Sequence, residues 1–361
     1  MKYIDEYRDK DLIMKLAAQI RRSVKGTYTF MEVCGGHTAA IQRFGIPSLL
    51  PEEVKLISGP GCPVCVTEKD FIDKAIEYSL RKDVILTTFG DLMRVPGSFT
   101  SLEKMKSSGA DIRIVFSGLD ALKTARINPD KKVIFLGIGF ETTAPGTAVT
   151  IKSAVIEKIS NFFVLSSHKV MPPAMEAILK DGTAIDGFIC PGHVAVITGS
   201  SAFDFIPEKY SRGCVVTGFE PTDILLGIYM LIQQVNNNDP FVEIQYKRAV
   251  TRNGNPLAKS VMQAVFEKCD ASWRGFGPIL LSGLVPGKDY RRFDAEYQIP
   301  VMVNSQPDNE LCMCGDILRG WKTPEECPLF SRACNPLNPV GACMVSNEGS
   351  CNTWYKYKLA K

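Results

Sequence analysis

Val133-Ile134-Phe135-Leu136-Gly137-Ile138 is an unbroken apolar run that ends in Gly139-Phe140-Glu141-Thr142-Thr143. A short run with no polar face reads as a strand buried on both sides, and parallel sheets covered by helices bury strands that way. The same texture recurs at 29–33, 55–58, 84–88, 113–116, 162–166, 187–189 and 214–217. Most starts lie roughly 25 to 30 residues apart, room for a strand, a helix and two loops. The fold class is therefore α/β. Val84-Ile85, Gly90 and Pro96-Gly97 return as Val133-Ile134, Gly139 and Pro145-Gly146 at a constant offset of 49. This echo predicts two similar small parallel-sheet, Rossmann-like domains facing a cleft, at residues 26–129 and 130–235.

Composition limits the function. The 361 residues are 45% apolar and 22% charged, as expected of a globular chain with ample core. Forty-two basic against 39 acidic residues leave a formal charge of +3, too even for a nucleic-acid or anionic-membrane partner. The longest apolar candidate for a span, from Ile224 to Ile232, has nine residues, against the ~18 that a bilayer needs. The first fifteen residues carry charges throughout, so no secretory segment is expected and the cytoplasm is the expected compartment. Residues 1–25 read as an N-terminal helix that could pack on the last domain. That domain, 236–361, begins at the polar stretch Val235-Asn236-Asn237-Asn238-Asp239-Pro240, with a strand-like 241–248 and a helical 256–269. From Asn304 the chain is rich in Cys, Pro, Asn and Gly, with little periodicity. A metal group could organise such a segment.

Unusual residues gather where strands end. Run 29–33 meets Cys34-Gly35-Gly36-His37-Thr38, and 55–58 meets Gly59-Pro60-Gly61-Cys62-Pro63-Val64-Cys65. Run 133–138 meets Glu141, 162–166 meets His168, 187–189 meets Cys190-Pro191-Gly192-His193, and 214–217 meets Gly218-Phe219-Glu220. Parallel sheets bind ligands beyond the carboxyl ends of their strands, so these groups would line a shared cleft. Cys62 and Cys65 can close a disulfide across one turn, or be half of a zinc site. Cys34 and His37, three residues apart, suit a nucleophile pair or a soft metal site, or Cys34 is an inert core thiol. Glu141, His168, His193 and Glu220 are cleft candidates. Gly137-x-Gly139 and Gly59-x-Gly61 do not complete a dinucleotide fingerprint.

Cysteine is the anomaly: twelve are present, six of them between Cys312 and Cys351. Without a leader, metal or redox chemistry is a better reading than a disulfide framework. Four thiolates from this group could hold an iron–sulfur cluster or a structural zinc. Spacing alone does not choose four of the six, because Cys314, Cys327, Cys334 and Cys351 match neither ferredoxin pattern.

Taken together, Cys34-Gly35-Gly36-His37-Thr38, Gly59-Pro60-Gly61-Cys62-Pro63-Val64-Cys65, Gly139-Phe140-Glu141-Thr142-Thr143 and the C-x12-C-x6-C-x16-C tail resemble the HypD family of nickel–iron hydrogenase maturation factors. The resemblance runs through essentially the whole chain. It implies a scaffold on which iron receives cyanide and carbon monoxide to become the Fe(CN)2(CO) moiety. It further implies a mononuclear iron held by Cys34 with His37 close by, a dithiol/disulfide pair at Cys62 and Cys65, and a C-terminal 4Fe–4S domain ligated by Cys314, Cys327, Cys334 and Cys351. The implied partners are a HypC-like small chaperone that shares the iron and a HypE-like transient cyanide donor, itself charged by HypF. A cluster beside a dithiol suggests an electron relay through Cys62 and Cys65 to the iron, which requires those thiols to be accessible in the cleft. The alternative is a 4Fe–4S-dependent thiol–disulfide reductase acting on a protein. Cys190, Cys214, Cys269, Cys312 and Cys343 receive no role.

Overall fold

The computed structural model describes residues 5–357. The chain builds two sheets by visiting each twice. It begins with β1 (Tyr28–Glu32) and β2 (Val54–Ser58). It then crosses to β3 (Val84–Thr88), β4 (Ile112–Ile114), β5 (Lys132–Gly139) and β6 (Phe162–Lys169). It returns for β7 (Gly187–Pro191), β8 (Gly213–Thr217) and β9 (Val242–Ile244), and ends with β10 (Phe266–Trp273) and β11 (Gly277–Pro286). The first sheet has the order β2-β1-β7-β8-β9 and is parallel throughout. The second, β10-β11-β6-β5-β3-β4, is parallel apart from the antiparallel β10 and β11 at one edge.

The α/β reading and all eight expected strands are present, within a few residues of their expected ends. The expected division at 129/130 does not describe the sheets. Strands on both sides of it share one sheet, and the echoing segments are paired neighbours, with Val84 opposite Lys132 and Ile85 opposite Val133. The repeat therefore relates adjacent strand–loop–helix units and does not relate two separate sheets. The boundary at 236 is crossed in the same way, because β9 completes the first sheet and β10–β11 extend the second.

The segment expected to be helical over 256–269 stops at Val265, where Phe266 opens β10. Phe266 and Trp273 are buried while Glu267, Lys268, Asp270 and Ser272 face solvent, the pattern of a strand at a sheet edge. The N-terminal helix Lys10–Ser23 is capped by Asp9, whose side chain accepts the Leu12 N–H at 2.8 Å. Its buried Leu16 and Ile20 pack on the helix Pro221–Asn237 against the first sheet, away from the last domain proposed for it.

One apolar core joins Met31 and Phe188 of the first sheet, Leu86 and Leu136 of the second, and Cys314, Cys343 and Cys351 of the tail. The tail itself is irregular, with short helices at Cys314–Leu318 and Ser350–Tyr357. Among the described residues no helix is long and apolar enough to cross a membrane.

The edge of the first sheet is held by an ion pair whose acid is fully buried. Asp223 accepts from Arg248 Nη1 at 2.8 Å and from Gln245 Nε2 at 2.9 Å, and its side chain is fully buried. Arg248 also stacks over Tyr7 and Tyr246. Asp223→Ala removes a buried acceptor from a partly exposed cation, and urea denaturation is expected to register a loss of about 2 kcal/mol. A loss under ~1 kcal/mol would mean that the arginine finds water at no cost.

A candidate functional site between the sheets

Loops at the ends of β1, β2, β5 and β7 surround one open cavity of roughly 420 Å³. Cys34, Gly61, Pro63, Thr142 and His193 line it, so both sheets contribute strand ends to one cleft. Glu348 reaches the same cavity from the tail.

Cys34 leaves β1 extended (φ −147°, ψ 122°) and caps the helix Gly35–Arg43. Its N–H donates to Glu32 Oε2 at 3.1 Å, and Glu32 Oε1 accepts the Thr38 hydroxyl at 2.5 Å. Burial raises the Glu32 carboxyl to about 8. The Gly35 N–H donates to the Gly61 carbonyl at 2.9 Å. A Cβ on Gly61 would run into the Cys34 backbone, and one on Gly35 would lie 2.5 Å from Glu348 Cβ. Both glycines therefore serve close approach. The Cys34 thiol is half-buried. Desolvation pushes it up to about 12, helped by Glu348 and Glu32, while the N–H groups of Gly36 and His37 pull the other way. The free thiol thus holds its proton at neutral pH, and a metal must displace it.

Cys62 and Cys65 form a disulfide spanning the short helix Pro63–Val66. The Cys65 N–H donates to Cys62 Sγ at 3.2 Å. Their neighbours Gly61 and Pro63 face the cavity, but the cysteines are 3% and 0% exposed. This corrects the expected accessible pair: the sulfurs belong to the shared core, beside the tail turn Ala342–Met344.

The histidines divide. His193 lines the cavity and stacks on Phe219 at 3.9 Å. His37 is fully buried and turned toward β8, also stacked on Phe219, at 4.4 Å. Its Nε2 lies 2.9 Å from the Gly218 carbonyl, which can only accept, so the proton sits there. Burial lowers His37 to about 4 and keeps the ring neutral. His168 lies inside the second sheet, with Nε2 2.9 Å from Thr147 Oγ1 and its ring edge-on to Phe266. Glu220 caps the helix Pro221–Asn237 and accepts from Arg8 Nη2 at 2.9 Å, and Glu141 turns out of the cavity. Of the six non-tail groups outside the disulfide, Cys34 and His193 alone line this cleft.

The tail cysteines share one buried core. Cys314, Cys327, Cys334, Cys343 and Cys351 are buried and Cys312 is partly so. Cys343 Sγ lies 3.4 Å from Cys351 Sγ, and a Cβ on Gly341 would meet Cys312 Sγ at 3.1 Å. Arg274 is buried next to this group, and its charge acts on Cys314. It pairs with Asp308 at 2.6 Å, yet its Nη1 has no partner. Among the described residues, no three His, Cys, Asp or Glu side chains converge closely enough for a single metal ion.

Sequence reasoning missed Glu32, Phe219, Arg274 and Glu348. A signal existed for Phe219, because Gly-Phe-Glu occurs at two strand ends. For the other three, nothing in their flanking residues marks them.

Comparison with known proteins agrees with the motifs. The family described as "HypD: Hydrogenase formation hypA family" matches residues 11–358. The hydrogenase maturation factor HypD of Cupriavidus necator is 45% identical, covering 99% of this chain and 97% of that protein. The HypD of Escherichia coli K12 is 44% identical over 99% of this chain and 98% of its own. That of Azotobacter vinelandii is 46% identical, with coverage of 99% and 97%. The chain belongs to the HypD family of hydrogenase maturation factors.

Proposed function

We propose that the cleft holds an iron atom on Cys34 while cyanide and carbon monoxide are attached to it, yielding the Fe(CN)2(CO) moiety of nickel–iron hydrogenase. The carrying observation is that half-buried Cys34 lines a cavity framed by strand ends of both sheets. A soft thiolate suits low-spin iron carrying strong-field diatomic ligands. Each cyanide ligand carries a negative charge that offsets part of the iron's, and the N-terminus of the helix Gly35–Arg43 offers those ligands a favourable field. The open side of the cavity leaves room for a second donor from a HypC-like small chaperone and for transient docking of a HypE-like cyanide donor.

The tail thiols fit a 4Fe–4S cluster. They are buried in one core, Cys343 Sγ lies 3.4 Å from Cys351 Sγ, and the unpartnered Nη1 of Arg274 would complement an anionic group there. Cys314, Cys327, Cys334 and Cys351 would hold it. Such a cluster supplies single electrons, and the Cys62–Cys65 disulfide packs on the turn Ala342–Met344, but its burial removes the access that a relay through it to the iron requires. A thiol–disulfide reductase acting on a protein needs a sulfur that its substrate can reach. Burial of both Cys62 and Cys65 favours the scaffold reading over that alternative.

Cys34→Ala is expected to abolish the iron–cyanide infrared bands of the complex with the small chaperone while sparing the cluster's visible absorbance. Loss of both signals would reduce Cys34 to a structural role. Serine at Cys314, Cys327, Cys334 or Cys351 is expected to bleach an anaerobic preparation that otherwise holds about four irons per chain. Serine at Cys312 or Cys343 is expected to leave the colour in place. Bleaching by Cys343→Ser with retention in Cys334→Ser would reassign the ligands.

A further inference from the structure

A stack of three rings, His37–Phe219–His193, runs from the buried side of the first sheet to the Cys34 cavity. His37 lies 4.4 Å from the Phe219 ring and His193 lies 3.9 Å from it, at interplanar angles of 21° and 22°. Two rings that close need the two faces of the phenyl group. Phe219 itself is wedged where two side chains are absent. A Cβ on Gly192 would lie 3.3 Å from Phe219 Cε2. One on Gly36 would lie 3.1 Å from Phe219 Cε1 and 3.8 Å from Cys34 Sγ, so the stack passes beside the thiol. The inner ring is anchored, because His37 Nε2 donates to the Gly218 carbonyl at 2.9 Å.

The outer ring is free to act. His193 is exposed, lines the cavity with Cys34, and makes no hydrogen bond among the described residues. Partial desolvation holds its pKa below the usual histidine value, so the neutral ring keeps one N–H to donate. The rest of the lining offers little to an acceptor. Pro63, Phe140, Val194 and Ile197 are apolar, and Thr143 Oγ1 already donates to the Ile138 carbonyl at 3.1 Å. We propose that His193 donates its N–H to the nitrogen of a cyanide bound to the iron on Cys34. The proposal rests on the reading of Cys34 as the iron site and adds how that site tells its two diatomic ligands apart. Bound cyanide presents an anionic nitrogen, whereas the oxygen of bound carbon monoxide is a weak acceptor. One donor on a mainly apolar wall therefore favours cyanide at one position. Phe219 is the positioning residue: it sets where the imidazole stands, and Gly36 beside the thiol sets where Phe219 stands.

Infrared spectra of the full chain, purified anaerobically with the small chaperone, test the proposal. A hydrogen bond at cyanide nitrogen draws electron density from the iron. Its loss in His193→Ala is expected to move a cyanide band and the carbonyl band to lower frequency. His193→Gln keeps an N–H donor and is expected to return both bands toward their native positions. Thr142 carries the rival exposed hydroxyl of the lining, and Thr142→Val is expected to leave the bands in place. Native bands in His193→Ala, equal displacement in the alanine and glutamine variants, or displacement in Thr142→Val alone would overturn the proposal. Loss of all bands in His193→Ala with retention in His193→Gln would support it, because the donor would then be needed to keep the cyanide. Loss in both variants would reduce His193 to a structural role and overturn it. Cys34→Ala separates the two claims. Bands that survive there would overturn the iron reading itself. Bands lost there but unmoved in His193→Ala would overturn this proposal alone.

Discussion

The candidate site depends on one close approach between two backbones. The Gly35 N–H reaches the Gly61 carbonyl at 2.9 Å, and Gly61 lies against the Cys34 backbone with no room for a side chain. That contact fixes the loop after β2 on the loop after β1. Cys34 is thereby set at the head of its helix and the Cys62–Cys65 disulfide in the layer beneath. Glu348 closes the arrangement from above, because its Cβ occupies the space that a side chain on Gly35 would need. Three segments far apart in sequence thus meet at two glycines, and the absence of a methyl group at each is the physical condition for the cavity.

The strands were legible because each is a short run of apolar residues bounded by turn residues, and the register that buries them on both faces is local information. Their distribution between sheets was not. Val84 and Lys132 sit opposite each other, so the repeated unit is a pair of neighbours, yet a repeat has the same appearance whether its copies share a sheet or form separate ones. β10 was missed for a related reason. Phe266, Cys269 and Trp273 recur at three- and four-residue intervals that fit a helix as well as a half-exposed edge strand, and pairing with β11 decides between them.

The site was legible to the same degree. Motifs at strand ends located the cleft, since parallel strands deliver their carboxyl ends to one side of a sheet. They did not say which way each side chain turns. In Glu141-Thr142-Thr143 the glutamate leaves the cleft while the threonines stay in it. His37, one turn into its helix from Cys34, points back toward Gly218 and stacks on Phe219. Its neutral, buried ring then acts as packing for the Cys34 helix and not as a partner for the thiol.

Burial sorts the cysteines by chemistry more sharply than their spacing does. Desolvation raises half-buried Cys34, and a hydrogen bond with Cys343 together with burial raises Cys314, so each thiol holds its proton and becomes a ligand only where a cation repays the cost of ionisation. Arg274 provides one such charge beside the tail cysteines, and it remains short of a partner at Nη1 despite its pair with Asp308. No lysine or arginine lines the Cys34 cavity, where Glu348 raises the thiol further. A bound cation is therefore the natural counter-charge there. The two regions differ in that respect: the tail cysteines have a buried positive charge, Arg274, beside them, whereas the cleft around Cys34 has no lysine or arginine in its lining.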